Sequence, residues 1–150
     1  GVVTRHPIGA DPLMTTRPSV LFICTHNAGR SQLGAHLLEH LAPGQFTVLS
    51  AGTKPSDAIG PVVAEALAEL GIDTSAAVPS AVTADELASV DIVVTMKHGL
   101  ALPGPISGQH VEWAFADPAD WELDGVRELR GRIQDAIAAA IPEWAAVSID

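Results

Sequence analysis

Cys24 and Arg30 are the pair in this chain best placed to do chemistry together, and Ser31 follows them directly. Five small or polar residues separate them: Thr25, His26, Asn27, Ala28 and Gly29. A loop of that kind can curl so that successive backbone N–H groups point inward. Completed by the N-terminus of a following helix, such a nest holds a tetrahedral oxyanion. Arg30 would grip two of the anion's oxygens with its planar fork. Cys24 would lie beneath the anion, where the same positive field favours its thiolate, the nucleophilic form. Ser31 would donate a hydrogen bond to the sulfur. A cysteine at a strand end more often serves as a small buried hydrophobe, and Cys-x5-Arg alone is a weak motif. Here the apolar run before the loop, the helical pattern after it, Ser31 and the internal Asn-Ala-Gly all agree.

These residues need a strand to deliver them and a helix to receive them. Residues 19–23 form a short apolar run, as expected for a parallel strand buried on both faces. Residues 30–41 read as a helix, with Leu33, Leu37 and Leu41 on one face, Leu38 beside them, and Pro43-Gly44 ending it. A second strand is expected over 46–49, leading into Ser50-Ala51-Gly52-Thr53. A second helix spans 61–70, with Pro61 in its first turn and Gly71 after its last. Thr83 and Glu86 form a capping box that opens a short third helix. Strands follow at 91–96 and, more briefly, at 111–113. The last helix is expected over 124–141, with Val126, Leu129, Ile133, Ile137 and Ile141 at helical spacing and Pro142 stopping or kinking it. This alternation predicts an α/β fold of three layers: an open parallel sheet with helices on both faces and right-handed crossovers. A ligand then belongs at the carboxyl ends of the strands, at a switch point, where the Cys24 loop lies.

Composition sets outer bounds. The 150 residues suit one domain, over 19–150, and 47% hydrophobic residues suffice for a full core. Residues 1–18, with Pro7 and Pro12, read as a poorly ordered extension without the apolar core of a signal peptide. Eighteen acids against 8 bases give a net charge of −10, which argues against a nucleic-acid binder. An anion must therefore be captured by local geometry against a repelling global field. One cysteine excludes an internal disulfide and fits a reducing cytoplasm. No apolar stretch is long enough for a membrane span.

Residues 20–32 resemble the phosphate loop of the low-molecular-weight protein tyrosine phosphatases. They resemble more closely that of the arsenate reductases sharing their fold, which reads Cys-Thr-x-Asn-x-x-Arg-Ser-Gln. The likeness runs from about Ser19 to the last helix. It implies a four-stranded, flavodoxin-like sheet in the order 2-1-3-4. It implies that Ser50 hydrogen-bonds Asn27 and helps hold it in a left-handed conformation. It also implies that Asp117, in Asp117-Pro118, is the acid that protonates the leaving oxygen; without the resemblance, Asp-Pro is a common turn initiator. Asp120 is the nearby competitor. Trp113, Phe115 and Trp121 flank this loop, as pocket walls or as core.

The resemblance also frames the reaction. The thioredoxin-linked arsenate reductases need two further cysteines after the third strand. In this chain His98 and Leu102 occupy those places. An external thiol would then be needed, as in the single-cysteine arsenate–mycothiol transferases. The implied co-substrate is mycothiol, with a mycoredoxin-type or other redoxin resolving the adduct and releasing arsenite; glutathione and thioredoxin rank behind. Cys24 would attack arsenic itself or organise the thiol's attack. The alternative is phosphomonoester hydrolysis through a Cys24 phosphoenzyme. Phosphatases of this fold usually carry tyrosines after Asp-Pro, whereas this chain has no tyrosine, and Ala119, Asp120 and Trp121 follow. Of the histidines, His26 would support the anion or face solvent. His36 and His40, one turn apart, lack a third metal ligand and read as a partly exposed helix face. His98 and His110 have no evident partner. No bound metal or cofactor is expected.

Overall fold

The computed structural model describes residues 17–147, so nearly all of the 1–18 extension lies outside the described residues. The chain forms β1 (Ser19–Cys24), α1 (Arg30–Leu41), β2 (Thr47–Gly52), α2 (Pro61–Ala68), α3 (Ala84–Ser89), β3 (Ile92–Thr95), β4 (Gln109–Glu112) and α4 (Leu123–Ala145). The four strands are parallel and ordered β2-β1-β3-β4. The chain leaves β1 in one direction to make β2 and returns past it to make β3. That reversal is the switch point at which open α/β sheets bind ligands.

Alternation along β1 divides the core. Val20, Phe22 and Cys24 join one cluster with the buried faces of α1, α2 and α4. Leu21 and Ile23 join a second, with Val93 and Leu87 of α3 on the opposite face. This is the period-2 pattern of a strand covered on both sides. α1 needs close approach to the sheet: a Cβ on Gly34 would stand 2.6 Å from the Phe22 ring. At the sheet's lower edge Ser19 and Asp91 exchange hydrogen bonds, with the Ser19 N–H and hydroxyl donating to the Asp91 carboxylate and the Asp91 N–H to Ser19 Oγ. This fixes β1 against β3 so that Ile23 faces Thr95 in register.

α1 has the bounds expected from its leucine spacing, and the Thr83–Glu86 capping box is formed. α2 ends two residues early, at Ala68, and β3 is one residue shorter at each end; three other elements differ more tellingly from expectation. β2 runs on through Ser50, Ala51 and Gly52, because Gly52 pairs with Cys24 and bridges Ala81 on its other side. β4 begins earlier, at Gln109; its mostly exposed QHVE sequence lacks the apolar signature of a strand, and pairing with β3 defines it. α4 continues past Pro142 to Ala145. The ring removes one intrahelical bond, but Trp144 beyond it is 2% exposed, stacked on Trp113 at 5.6 Å and set edge-on to Phe22 at 6.0 Å. That burial carries the helix over the proline. Among the described residues no helix is long and apolar enough to cross a membrane.

Candidate active site

β1 delivers Cys24, 2% exposed, to the carboxyl end of the sheet, and α1 begins at Arg30. The loop between them is held by its carbonyls. The carbonyl of Cys24 accepts from the Thr53 N–H, that of Thr25 from Lys54, and that of His26 from Ser56. The Asn27 carbonyl accepts from the Gln32 side chain at 3.0 Å, that of Ala28 from the Gly60 N–H, and that of Gly29 from Leu33. In a planar trans peptide the C=O of one residue and the N–H of the next point in opposite directions. Six carbonyls turned outward therefore turn the following N–H groups inward. Inward N–H groups in succession are what a nest requires.

Asn27 is the hub of the loop. It is wholly buried with φ 52, in the left-handed region where asparagine is tolerated. Its Nδ2 donates to Ser31 Oγ at 2.7 Å and to Ser50 Oγ at 3.0 Å, while Oδ1 accepts from the Ser80 N–H at 3.0 Å. Its own N–H lies 3.3 Å from Cys24 Sγ. Ser31 Oγ is 2.9 Å from Sγ. With Asn27 donating to that oxygen, the Ser31 hydroxyl keeps one proton that it can offer to the sulfur. The Asn27 N–H and the Ser31 hydroxyl thus both stand within hydrogen-bonding reach of Sγ.

Arg30 is 5% exposed. Its Nη1 donates to the Phe115 carbonyl at 3.0 Å, and its Nη2 lies 3.9 Å from Asp117 Oδ2. Its Nε is buried and has no hydrogen-bond partner among the described residues. One end of the guanidinium is thus anchored to backbone, and the Nε/Nη2 edge remains as a two-donor fork. A buried N–H without a partner is costly, and a tetrahedral oxyanion in the nest would satisfy it.

Asp117 stands at the rim, with Oδ1 accepting from the Ala119 N–H at 3.0 Å and Oδ2 toward Arg30. Pro118 beneath it is buried against the loop: a Cβ on Gly29 would come within 2.8 Å of its Cγ. Asp117, Asp120, Cys24 and Arg30 all line one cavity of about 470 Å³. Ile59 and Val62, flanking the start of α2, and Trp121 supply its apolar wall. Asp120 has φ 65, in the left-handed region that aspartate, like asparagine, tolerates.

The remaining candidates are dispersed. His26 is exposed, and its Nδ1 lies 3.1 Å from the Lys54 carbonyl. His36 is buried rather than partly exposed: its place on α1 turns it inward, where Nδ1 donates to the Gln32 carbonyl at 2.9 Å. Burial holds its pKa below the ordinary 6.5. His40, a turn later, is exposed. His98 pairs with Glu112, and His110 Nε2 lies 2.8 Å from Thr95 Oγ1, so both have partners that β3–β4 pairing creates. Leu102 packs partly buried against the second core cluster. Sequence reasoning missed the Phe115 carbonyl and the donors of residues 53–60, which are backbone groups without a side-chain signature. It also missed Gln32, whose place directly after Arg30-Ser31 was the available signal.

A sequence profile of the family described as low molecular weight phosphotyrosine protein phosphatase matches residues 19–103. An arsenate reductase of Shouchella clausii is 32% identical over 133 residues, covering 84% of this chain and 94% of that protein. The thioredoxin-dependent arsenate reductase of Corynebacterium glutamicum superposes with a TM-score of 0.71 at 35% identity, covering 86% of this chain and 64% of that one. A tyrosine phosphatase of Erwinia amylovora shares the fold, with a TM-score of 0.74 at 20% identity over 89% of this chain and 97% of that one.

Proposed function

The chain belongs to the low-molecular-weight phosphotyrosine protein phosphatase family, and on that premise we propose that it is an arsenate reductase fed by an external thiol. The observation that carries the reading is its single cysteine, seated at the mouth of the loop with the Asn27 N–H and the Ser31 hydroxyl against its sulfur. Arsenate would bind there with the Nε/Nη2 edge of Arg30 on two of its oxygens. Asp117, at the rim, would protonate the oxygen that departs as water.

Reduction of As(V) to As(III) takes two electrons, which two thiols supply by ending as a disulfide. Cys24 alone cannot complete that exchange. In the segment between β3 and β4, His98 is paired with Glu112 and Leu102 is packed on core, so no internal thiol is at hand there. We therefore assign the first thiol to mycothiol, which condenses with arsenate as water leaves and an S–As bond forms. A mycoredoxin-type thiol then attacks that sulfur; the S–As electron pair stays on arsenic, and arsenite departs. Cys24 has one of two parts in that condensation: it bonds arsenic first, as water leaves, and is then displaced from arsenic as a thiolate by mycothiol, or it orders mycothiol's direct attack. An arsenylated Cys24 adduct seen by mass spectrometry selects the first course. We assign the activity to the cytoplasm because it needs a reduced thiol pool. Thioredoxin, named in the description of the Corynebacterium relative, is the alternative donor.

The apolar wall of Ile59, Val62 and Trp121 favours one second reading, hydrolysis of an aryl phosphate through Cys24. The test is arsenite formation with mycothiol and mycoredoxin, with glutathione and glutaredoxin, with thioredoxin and with no thiol, alongside p-nitrophenyl phosphate hydrolysis. Turnover dependent on mycothiol and lost in Cys24→Ser is the expected result. Rapid ester hydrolysis without arsenite under any reductant would make the chain a phosphatase.

A further inference from the structure

The guanidinium of Arg30 is held at a backbone carbonyl, and the residue that offers it belongs to a series of aromatic ring contacts reaching α4. Phe115 O accepts from Arg30 Nη1 at 3.0 Å. The Phe115 ring meets Trp113 edge to face, with centroids 6.2 Å apart and planes at 85°. Trp113 is stacked on Trp144 at 5.6 Å and 25°. Trp144 in turn stands edge-on to Phe22 of β1, two residues before Cys24. The backbone adds two ties, the Trp113 N–H to the Thr95 carbonyl at 2.8 Å and the Phe115 N–H to that of Met96 at 3.4 Å. The second is long, so the ring stack supplies much of what fixes the 113–115 segment.

We propose that Trp113 is a positioning residue for oxyanion binding, acting through the Phe115 carbonyl on the orientation of Arg30. A planar fork discriminates by direction, so a guanidinium free to swivel loses its bidentate grip while keeping its charge. With Nη1 anchored, the Nε/Nη2 edge faces one way before any anion arrives. Removing the Trp113 ring leaves Phe115 without its edge-to-face neighbour and loosens that anchor. Aromatic pairs of this geometry each contribute beyond simple burial, and three rings in series join the last turn of α4 to the arginine.

The inference rests on the loop binding an oxyanion, and it is independent of which thiol reduces arsenate. Its test is a double-variant cycle read as the affinity for inorganic phosphate and for arsenate, measured by calorimetry. Trp113→Ala is expected to weaken both anions about tenfold, and Trp113→Phe, which keeps a ring in the stack, to stay within about twofold. In an Arg30→Lys background Trp113→Ala should have no further effect, since there is no fork left to orient. In a Ser50→Ala background, which disturbs Asn27 instead, the two losses should add. Trp113→Leu keeps apolar volume without a ring plane and replaces Trp113→Ala if that variant fails to fold. Undiminished affinity in the ring-less variant, or an equal loss with and without Arg30, overturns the proposal. Failure of the unmodified chain to bind either anion would instead overturn the oxyanion reading on which it rests.

Discussion

At the scale of single residues, direction matters more than charge. Arg30 and Asp117 lie 3.9 Å apart in the lining of one cavity, yet their substitutions should separate. Arg30→Lys keeps the positive charge and removes the fork. Losing one charge-assisted hydrogen bond costs roughly 1.5–3 kcal/mol, so phosphate affinity should fall about 10- to 100-fold by calorimetry. An unchanged dissociation constant would refute the bidentate role. Asp117→Asn removes an acid and also a negative charge from beside the anion. Turnover should drop on the order of a hundredfold while phosphate affinity holds or improves. A steady-state rate equal to the unmodified chain's at every pH would transfer the acid role to Asp120 or to solvent. Cys24, Arg30 and Asn27 could be singled out because their chemistry depends on spacing within a dozen residues. The groups that hold them could not: Ser80 N–H and Phe115 O are backbone atoms more than fifty residues away in sequence.

At the scale of elements, tight contacts decide what can change. Gly29 closes the loop against Pro118, where an added Cβ would sit 2.8 Å from a proline carbon. Proline cannot yield as a flexible side chain would. Gly29→Ala should therefore displace the Asp117-Pro118 strap, lowering turnover at least tenfold and stability by about 1–3 kcal/mol in urea titration. Wild-type turnover in that variant would mean the strap moves without consequence. Pro142 is the opposite case. Its helix continues because Trp144 is buried, so Pro142→Ala should restore one backbone hydrogen bond and raise the melting temperature by several degrees. A lower melting temperature would show that the proline stiffens the unfolded chain more than it weakens the helix. The same contrast explains what could be read in advance. α1 follows from its own leucine spacing and the Pro-Gly after it. α4 overruns its proline and β4 forms from QHVE only because distant partners compensate, and no local pattern carries that information.

At the scale of the molecule, acid is the expected weakness. Burial lowers the His36 pKa below 6.5, so as pH falls through that value the unfolded chain takes up a proton that the folded chain refuses. Hydrogen bonds from Arg127 and Arg130 hold Glu69 at about 2 instead of 4.5, a contribution present above pH 4.5 and lost as the pH falls through about 2. Glu39 runs the other way, since burial raises its pKa and its contribution is full below 4.5 and lost as pH rises through the raised value. The urea midpoint should thus fall on acidification below about pH 6.5, and His36→Gln should flatten the upper part of that fall; an unaltered profile would assign it to other groups. The loop between β1 and α1 belongs to this scale too, because its six carbonyls are claimed by residues 32–33, 53–56 and 60, from α1 and from the chain beyond β2. The consequence is entropic. A loop whose backbone is already committed surrenders little conformational freedom when it closes on an oxyanion. On the proposed function the molecule would meet that ordering cost once, during folding, and each oxyanion bound after that would be spared it.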